Sequence, residues 1–321
     1  MGVLTVSALH AVLECRIPDK LAAGPKSVAE LAREANVHEG ALHRCLRALA
    51  TTGVFTEVSP RVFANSPASE VLRSDHPSHA RDTTLWMTNP FHLRSYAEFM
   101  HSLKTGETCV EKAVGVPCFE YFPTDKKCNE QFNNAMTAFS GMVVPAVLES
   151  YDFSGIGTLC DVAGGHGMML TSILQKYPAM KGVLFDLEHV IAGSHEIIRS
   201  AGVADRCETA SGDFFQAVPA ADSYLMKHII HDWEESKAIT ILRNCAKAMR
   251  GNGKILLIEC ILPAGDEPHM GKWIDIEMLA LPGGQERNEA EYRELLQKAD
   301  LKLVRAIPTQ SPFSVIEAVK S

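Results

Sequence analysis

The stretch Thr158-Leu-Cys-Asp-Val-Ala-Gly-Gly-His-Gly167 decides the fold of this chain. An apolar run ends at Asp161, glycines follow at Gly164, Gly165 and Gly167, and apolar residues then recur at helical spacing. This order predicts a strand, a tight turn and a helix. Glycine permits positive φ angles and lets a ligand approach the bare backbone. Because ligands of open α/β sheets lie beyond the carboxyl ends of the strands, we predict that this turn binds a ligand.

The glycine turn alone does not identify the ligand. A dinucleotide fingerprint requires a third small residue, but Met168, Met169 and Leu170 follow the last glycine. The turn also lacks the Gly-Lys-Ser/Thr of a phosphate loop. A cofactor without a pyrophosphate, held by its ribose and amino-acid parts, fits better. The next predicted strand carries Asp186 at its end, where a carboxylate can accept hydrogen bonds from both ribose hydroxyls.

Composition and charge are those of an ordinary globular protein. The chain has 321 residues, of which 46% are hydrophobic and 22% charged, enough for a sizeable core and two domains. The net charge of −8 argues against a general nucleic-acid or membrane-binding surface. No apolar run approaches the roughly 20 residues of a membrane span. Nine scattered cysteines without a Cys-x-x-Cys pair favour reduced thiols and a cytoplasmic location.

From residue 157 to the end, strand and helix patterns alternate. We predict strands at 158–163, 182–187, 207–211, 222–228 and 254–262, and helices at 167–177, 190–201, 235–250 and 288–299. A last pair of strands, 301–307 and 313–319, is predicted to add an antiparallel hairpin. The fold class is therefore α/β: a Rossmann-like, doubly wound sheet with a C-terminal antiparallel hairpin.

Residues 27–63 have the pattern of a winged helix. A capping box from Ser27 to Glu30 begins one helix, a second helix ends before Gly53, and two strands form a hairpin. DNA binding is one interpretation of this module, because the second helix carries His43, Arg44 and Arg47. The other is packing and dimerisation, which the acidic flanks favour: Glu30, Glu34, Glu39 and Glu57.

We predict three domains: a winged-helix-like, all-helical dimerisation domain over 1–88, a helical linker that contributes to the substrate pocket over 89–150, and the α/β domain over 151–321. The linker is dense in aromatic residues and methionines. Most of them are expected to be core, and some to line an aromatic substrate pocket, since methionine adapts to flat ligands.

The start of the chain predicts an apolar-faced helix over residues 1–20. Met1 to Arg16 lacks the order of a signal peptide and resembles the middle of a helix, which predicts a longer natural N-terminus. A helix that cannot bury its apolar face alone needs a neighbour. We expect a homodimer with interlocking N-terminal helices; the alternative is docking on the same chain near Leu46 and Leu49. The apolar face consists of Leu4, Ala8, Leu9, Val12 and Leu13.

Gly212-Asp-Phe-Phe215 follows the third predicted strand. An acid there can accept a hydrogen bond from an adenine amino group, and an aromatic ring can cover the face of the base. An ordinary Gly-Asp turn is the alternative. Its place after the glycine turn and Asp186 favours the adenine site.

Leu225-Met-Lys-His-Ile-Ile-His-Asp-Trp233 ends the fourth predicted strand. The polar side chains of Lys227, His228, His231 and Asp232 therefore gather at the carboxyl edge of the sheet. A histidine beside a reactive centre is a natural general base, since its ordinary pKa is roughly 6.5. The alternatives are a histidine without chemistry and a His-x-x-His metal site, which lacks an evident third ligand.

Two acids complete this constellation. Glu259 ends the fifth predicted strand, where a glutamate is an unusual core residue. Glu286 lies in the Gly283-Gly-Gln-Glu-Arg287 loop. Two carboxylates that converge on one imidazole would orient it and stabilise its charged form. The alternative is that both acids are solvated.

Taken together, these motifs resemble those of the small-molecule O-methyltransferases of the plant caffeic-acid and hydroxyindole type, which also have bacterial members. The glycine turn, Phe185-Asp-Leu-Glu-His-Val190, Gly212-Asp-Phe-Phe215, the histidine stretch and the Gly-Gly-Gln-Glu-Arg loop stand in the order of that family. The winged helix resembles its dimerisation domain, so the match covers nearly the whole chain. The resemblance implies a class I methyltransferase fold, S-adenosylmethionine as methyl donor, S-adenosylhomocysteine as product and no metal.

The resemblance also assigns roles to individual residues. The cofactor-binding residues would be Gly164 and Gly165 under the methionine part, Asp186 on the ribose, Asp213 and Phe214 at the adenine, and Lys227 at the adenine or ribose edge. The catalytic residues would be His231 as base and Glu259 and Glu286 as its positioning acids. The residues of the acceptor pocket would be Phe132, Met136, Phe139 and Met278.

The chain departs from the plant pattern at three points. Ala163 stands where the family has its first glycine, which requires a negative φ if the alanine is unstrained. Phe139 replaces a histidine, and the loop before Gly283 is one residue shorter. The plant substrate range therefore does not carry over.

We accordingly expect a methyltransferase that acts on the hydroxyl of a small aromatic acceptor, without nucleic-acid or membrane partners. Two alternatives stay open at the level of sequence. Some relatives use the bound cofactor for hydroxylation, decarboxylation or pericyclic chemistry, although these tend to lack the histidine. A winged-helix regulator with a ligand-sensing α/β domain would instead bind duplex DNA in a salt-sensitive way.

Overall fold

The computed structural model describes Gly2–Ser321, which fall into two compact units. The first unit comprises the chain up to Glu98 together with Phe119–Phe139, and the second comprises Phe99–Cys118 and Ser140–Ser321. In this described part of the chain, no helix combines the length and the apolar character needed to cross a membrane. The domain boundaries at residues 88 and 150 remain predictions.

The first unit is mostly helical, as predicted, and contains a small antiparallel sheet. Its strands are β1 (Lys26–Ser27), β2 (Phe55–Ser59) and β3 (Val62–Asn65), in the order β1-β3-β2. The wing thus has three strands rather than two; a two-residue strand has no sequence pattern of its own. The helices that begin in this unit are Gly2–Glu14, Ile17–Lys20, Val28–Ala35, Glu39–Ala50, Pro67–Glu70, Ala80–Met87, Pro90–Ala97 and Lys126–Ser150, with a 3₁₀ turn at Phe122–Thr124.

Local sequence explains the winged-helix core. The Ser27 side chain accepts a hydrogen bond from the Glu30 backbone N–H, and the Glu30 carboxylate accepts one from the Ser27 N–H, so the predicted capping box is confirmed. The helix Glu39–Ala50 places Leu46 and Leu49 in a core shared with Phe55 and Phe63 of the wing.

The apolar face of the N-terminal helix is buried at one end of the helix and exposed at the other. Val12 packs in the cluster of Leu46 and Leu49, which confirms that the helix docks on its own chain. Its other end is free, since Val3 is 65% and Leu4 74% exposed.

The second unit contains a seven-stranded sheet of order β6-β5-β4-β7-β8-β10-β9. All neighbouring strands pair in parallel except β10, which runs antiparallel to β8 and β9, so the predicted doubly wound sheet with a terminal hairpin is confirmed. The strands are β4 (Thr158–Val162), β5 (Lys181–Asp186), β6 (Cys207–Ser211), β7 (Ser223–Lys227), β8 (Ile255–Cys260), β9 (Leu301–Pro308) and β10 (Phe313–Lys320).

Helices of the second unit cover both faces of this sheet. In β8, Ile255 and Leu257 belong to one buried cluster and Leu256 and Ile258 to another, because alternate side chains point to opposite faces. The helices are Phe99–Thr105, Cys109–Val114, Cys118–Tyr121 (which crosses between the units), Met168–Lys176, Glu188–Ile191, His195–Ser200, Glu235–Ala248, Met270–Ala280 and Glu289–Lys298, with a 3₁₀ turn at Ile230–Asp232.

Two helices differ from the sequence prediction. The helix predicted at 190–201 is broken at Gly193 into two short helices, where the Ser194 hydroxyl donates to the Ile191 carbonyl oxygen instead of continuing the helix. The helix Met270–Ala280 was not predicted. It has no clean polar face, since Trp273 is 78% exposed, so its sequence shows no helical stripe.

Gly253, just before β8, allows two backbones to approach closely. A Cβ there would lie 1.6 Å from the Asp222 carbonyl oxygen. We therefore expect Gly253→Ala to shift the backbone and lower the free energy of unfolding by about 1–3 kcal/mol, measured by urea denaturation.

Gly141→Ala is the matched control. A Cβ at Gly141 meets nothing within 4 Å, and alanine favours a helix over glycine by up to about 1 kcal/mol. An unchanged unfolding midpoint in Gly253→Ala would contradict the close approach.

Candidate functional site

The site lies where the strand order of the large sheet reverses. β4 and β7 are neighbours, and Asp161 pairs in register with Leu225. The glycine turn follows β4 and the histidine turn follows β7, so both open at the carboxyl ends of adjacent strands. A crevice at such a reversal is the usual ligand site of a doubly wound sheet.

Two residues without the freedom of glycine adopt positive φ beside this crevice. Ala163 has a φ of 54° and His228 a φ of 56°. The condition for an unstrained alanine at this position, a negative φ, is therefore not met. The Ala163 N–H donates to the Phe185 carbonyl oxygen at 2.7 Å, which holds the turn in the left-handed region. Such residues cost about 1–3 kcal/mol each and cluster at functional sites.

The glycines of the turn serve two different purposes. A Cβ at Gly164 would lie 2.5 Å from Leu184 Cδ1 and 2.6 Å from the Asp161 carboxyl group, so only glycine fits. Gly165 has a φ of 60°, and a side chain there would project into open space. The backbone at Gly165 is thus accessible on its outer side.

Asp186 joins the glycine turn to the end of β5. Its Oδ2 accepts the Gly165 N–H at 2.8 Å and its Oδ1 accepts the Leu187 N–H at 2.7 Å. Burial raises the pKa of Asp186, and these two hydrogen bonds oppose that rise. Each carboxylate oxygen keeps acceptor capacity for a further donor, such as a hydroxyl.

The turns after β6 and β7 meet through aromatic rings. Asp213 is exposed, and its Oδ1 accepts the Phe215 N–H at 2.8 Å. The ring of Phe214 packs edge-on against Phe215 and against Trp233, with centroids 4.8 and 5.8 Å apart.

Lys227 and Asp161 are two buried ionisable residues at the base of the crevice. Burial lowers the pKa of Lys227, while Asp161, Glu259 and Asp232 oppose this change. Burial raises the pKa of Asp161 to about 7, and its Oδ2 is buried without a hydrogen-bond partner. Sequence reasoning gave Asp161 no role, although an acid at the end of a buried strand was a signal.

These residues fit the cofactor that the sequence suggests. The glycine turn offers accessible backbone, Asp186 offers acceptors for hydroxyls, and the unpaired Asp161 Oδ2 offers an acceptor beneath the turn. Neighbouring backbone and side-chain donors and acceptors of this kind suit a ligand with ribose and amino-acid parts.

The structure brings His231, Glu259 and Glu286 together. The His231 Nδ1 lies 2.6 Å from Glu286 Oε1 and 3.5 Å from Glu259 Oε2. Glu259 Oε1 accepts the backbone N–H groups of Ile229 and Ile230 at 3.1 and 2.9 Å. Glu286 is therefore the direct partner of the imidazole, whereas Glu259 mainly holds the turn that carries it.

The electrostatics of this cluster favour a charged ring. Burial disfavours the imidazolium, but Glu259, Asp232 and Glu286 outweigh it and raise the pKa of His231 to about 10. Burial in turn raises the pKa of Asp232 to about 6. Asp232 Oδ1 lies 3.5 Å from His231 Nε2, a proximity to which the sequence assigned no role.

The same three residues could in principle ligate a metal. His231, Glu259 and Glu286 each offer a ligand atom within 4.8 Å of the others, and nitrogen and carboxylate ligands suit zinc. The His-x-x-His alternative would instead have used His228, whose ring centroid lies 4.1 Å from that of Phe313. The 2.6 Å contact of His231 with Glu286 is the length of a charge-assisted hydrogen bond.

Gly284 lets the loop before Glu286 lie directly on the histidine turn. A Cβ at Gly284 would be 1.8 Å from the His231 carbonyl oxygen, and Gln285 donates its N–H to that same oxygen at 2.8 Å. The backbone of this loop is therefore held against the backbone of the histidine turn.

The predicted acceptor residues are placed in two elements. Phe132, Met136 and Phe139 lie on the helix Lys126–Ser150 in the first unit, at the i, i+4 and i+7 spacing of one face. All three are partly buried. The Phe132 ring stacks on Phe122 at 4.6 Å within an aromatic cluster of that unit.

Met278 lies in the second unit, on the helix Met270–Ala280, and is buried. Its carbonyl oxygen accepts the Gly283 N–H at 2.8 Å. Met278 is thus tied to the loop that carries Glu286.

Comparison with known proteins places both parts of the chain. Residues 96–302 match the family described as an O-methyltransferase domain, and residues 1–75 match an O-methyltransferase dimerisation domain. The phenazine O-methyltransferase PhzM of Lysobacter antibioticus is 38% identical over 99% of this chain and 93% of its own. The mitomycin biosynthesis 6-O-methyltransferase of Streptomyces lavendulae is 34% identical over 98% and 91%.

Solved structures give the same picture. The crystal structure of LaPhzM superposes with a TM-score of 0.95, at 38% identity, over all of this chain and 97% of its own. An O-methyltransferase from neocarzinostatin biosynthesis, solved with S-adenosylmethionine and 2-hydroxy-5-methyl naphthoic acid, is 30% identical with a TM-score of 0.88, covering 99% of this chain and 96% of its own.

The raised pKa of His231 is open to direct measurement. We expect ¹⁵N NMR titration of the apoprotein to find the ring protonated well above pH 6.5, because the three carboxylates stabilise its charge. Glu286→Gln removes one of these charges and should lower the pKa. The exposed acid in Glu294→Gln serves as control. A wild-type pKa at or below 6.5 would contradict the assigned electrostatics.

Proposed function

Since the chain belongs to the family of S-adenosylmethionine-dependent O-methyltransferases, we propose that it methylates a hydroxyl of a small aromatic acceptor with His231 as general base. The observation that carries this proposal is the hydrogen bond of the buried His231 Nδ1 to Glu286 at the mouth of the crevice. That bond leaves Nε2 as the nitrogen able to take a proton.

The proposed cofactor contacts follow the turns of the crevice. Gly164 and Gly165 would lie under the methionine part, and Asp186 would bind the ribose hydroxyls. Asp213 and Phe214 would flank the adenine, and Lys227 would reach the adenine or ribose edge. When bound, S-adenosylmethionine would supply a methyl group on a positively charged sulfur. The buried carboxyl groups of Asp161 and Glu259, whose pKa burial raises to about 7 in each case, lie in this region.

His231 accounts for the proton in the proposed reaction. His231 Nε2 would take the proton as the acceptor O–H bond breaks. The bound cofactor would supply the methyl group, with the sulfur–methyl bond broken as the oxygen–methyl bond forms and S-adenosylhomocysteine as the product. Only the neutral imidazole can accept this proton, so activity should rise with pH as the ring deprotonates toward the pKa of about 10 that the carboxylates give His231. A phenol has a similar pKa of roughly 10. Proton transfer between groups of matched pKa costs little free energy.

The acceptor class follows from the proposed pocket and from the relatives. Phe132, Met136, Phe139 and Met278 would present flat and adaptable apolar surfaces to an aromatic ring. The names of the relatives specify phenazine, mitomycin and naphthoate acceptors. We therefore infer a polycyclic or monocyclic phenol of secondary metabolism as the substrate class.

We further propose that the reaction needs no metal. The imidazole and Glu286 are already joined by a short hydrogen bond, and Glu259 Oε1 already accepts two backbone N–H groups. Each acid thus has a role in holding the base that leaves it less free to ligate a cation.

Charge pairing favours dimerisation over DNA binding for the winged helix. Lys26 pairs with Glu34 and Arg61 pairs with Glu39, so cations of the wing are neutralised by acids of the adjoining helices. We propose that the protein has no nucleic-acid partner. Nine free cysteines, seven of them buried, support a proposed cytoplasmic location, where thiols stay reduced.

The proposed activity is tested with His231→Ala. A panel of phenols, hydroxyphenazines and hydroxynaphthoates is screened for release of S-adenosylhomocysteine. We expect turnover of an accepted phenol to fall by about 10²–10⁴-fold in the variant, with cofactor affinity by calorimetry little changed, because a general base supplies that factor.

His195→Ala changes an exposed histidine of the same domain and is the control. Undiminished turnover in His231→Ala would remove the base from its role. Wild-type consumption of an acceptor without S-adenosylhomocysteine would point to non-methylating chemistry instead.

The dimerisation family match and the exposed end of the first helix support a homodimer. We expect the double variant Val3→Glu/Leu4→Glu to dissociate it in sedimentation at micromolar concentration, since charge replaces the apolar surface that a neighbour would bury. Val304→Glu changes an exposed valine of β9 and should leave the dimer intact. A monomeric wild-type chain would overturn this prediction.

A further inference from the structure

Three backbone N–H groups of the loop that carries Glu286 donate hydrogen bonds to its surroundings. Gly283 donates its N–H to the Met278 carbonyl oxygen and Gln285 donates to the His231 carbonyl oxygen, both at 2.8 Å. The third is the Glu286 N–H, which donates to the Asp275 Oδ1 at 2.8 Å. Only this third tie uses a side chain, and it acts on the residue that contacts the imidazole.

Asp275 comes from the helix Met270–Ala280, which lies outside the histidine turn and the Glu286 loop. It is half-buried, and with Glu286 it lines a cavity of about 510 Å³. The Glu286 carboxylate reaches His231 Nδ1 at 2.6 Å from one end of the residue, while Asp275 holds the N–H at the other end. A shift of this residue would lengthen the bond to the imidazole.

We propose that Asp275 is a positioning residue for the base: it fixes the backbone of Glu286 and so keeps the Glu286 carboxylate on His231 Nδ1. This inference rests on the proposed function, because it concerns the same histidine. It gives a role to Asp275, which lies outside the sequence motifs. Asp275 touches neither the reacting atoms nor the imidazole.

The electrostatic environment of Asp275 fits a carboxylate that acts as a hydrogen-bond acceptor for the Glu286 N–H. Burial raises the pKa of Asp275, the Glu286 N–H opposes the rise, and the charges of Glu286 and Glu291 add to it, while Arg287 opposes it. The hydrogen bond from the Glu286 N–H favours the charged carboxylate at this half-buried position. Either oxygen of a carboxylate or the oxygen of an amide can accept that N–H.

The test compares Asp275→Ala with Asp275→Asn in the full-length enzyme on an accepted phenol. Alanine removes the acceptor, and we expect kcat to fall by about 10–100-fold, because small misplacements of catalytic groups have effects of that size. Asparagine keeps an acceptor oxygen and should restore most of the lost rate. Affinity for S-adenosylmethionine, measured by calorimetry, should stay within about twofold, because Asp275 lies on the helix Met270–Ala280 and its hydrogen bond is to Glu286, not to the glycine turn.

The pH profile separates positioning from a general loss of structure. Four titratable groups surround the ring of His231: Glu259, Glu286, Asp232 and His228. If Glu286 moves away in Asp275→Ala, the imidazolium loses a stabilising charge and the ring deprotonates at lower pH. The ascending limb of kcat against pH should then shift to lower pH in Asp275→Ala and stay near that of wild type in Asp275→Asn.

Lys272→Ala is the matched control, because Lys272 lies on the same helix, lines the same cavity and donates to the carbonyl oxygens of Gly265 and Glu267. In Lys272→Ala the ascending limb of kcat against pH should stay where it is in the wild-type enzyme. If Asp275→Ala does not fold, Asp275→Ser replaces it, since the shorter side chain cannot reach the Glu286 N–H.

A wild-type rate and an unmoved limb in the alanine variant would overturn the inference. A loss of rate without a shift of the limb would also overturn it, since that pattern indicates a structural role. Both outcomes differ from failure of the proposed function, in which His231→Ala itself would retain activity.

Discussion

A hydrogen bond between two buried groups, His231 Nδ1 and Glu286 Oε1, sets the requirements for the loops around it. A charged pair removed from water is stable only when the remaining acceptors and donors are also satisfied. Glu259 Oε1 satisfies two N–H groups of the histidine turn, and Asp275 satisfies the N–H of Glu286. The second oxygens of Glu259 and Glu286, both Oε2, are buried without a hydrogen-bond partner. Gly284 lets the two turns touch, because it has no side chain to separate its backbone from the His231 carbonyl oxygen.

The sheet brings these turns together over long distances in sequence. His231 and Glu286 are 55 residues apart, and the glycine turn lies further upstream. Their meeting follows from the pairing of β4 with β7 and of β7 with β8, which places the ends of these strands at one edge. A polar site of this kind is built from turns, while the apolar strands beneath it fix where each turn begins.

Much of this arrangement could be predicted from sequence because it depends on strand ends. Asp186, His231 and Glu259 lie at or just beyond the ends of apolar strands, and parallel strands place such residues at the carboxyl edge of the sheet. The order of the glycine turn, the acids and the histidine then identified the family. The burial of Val12 against Leu46 was likewise foreseen as one of two outcomes.

The remainder depends on contacts that have no local signal. The sign of φ at Ala163 is set by a hydrogen bond to Phe185, which lies on another strand. Asp275 was missed because its helix has Trp273 exposed and Met278 buried, with apolar residues on both sides. The division of labour between Glu259 and Glu286 rests on differences of about one ångström between two distances to the same nitrogen, 2.6 and 3.5 Å.

The positive φ of Ala163 has a consequence for the entropy of the glycine turn. Glycine would relieve a strain of about 1 kcal/mol at this position. Alanine, however, has fewer backbone conformations than glycine when the turn opens, so less conformational entropy is lost when the turn closes again. The Ala163 methyl group therefore costs a small strain energy, but it leaves the turn more ordered before a ligand binds. A turn ordered in advance lets more of the contact energy appear as affinity.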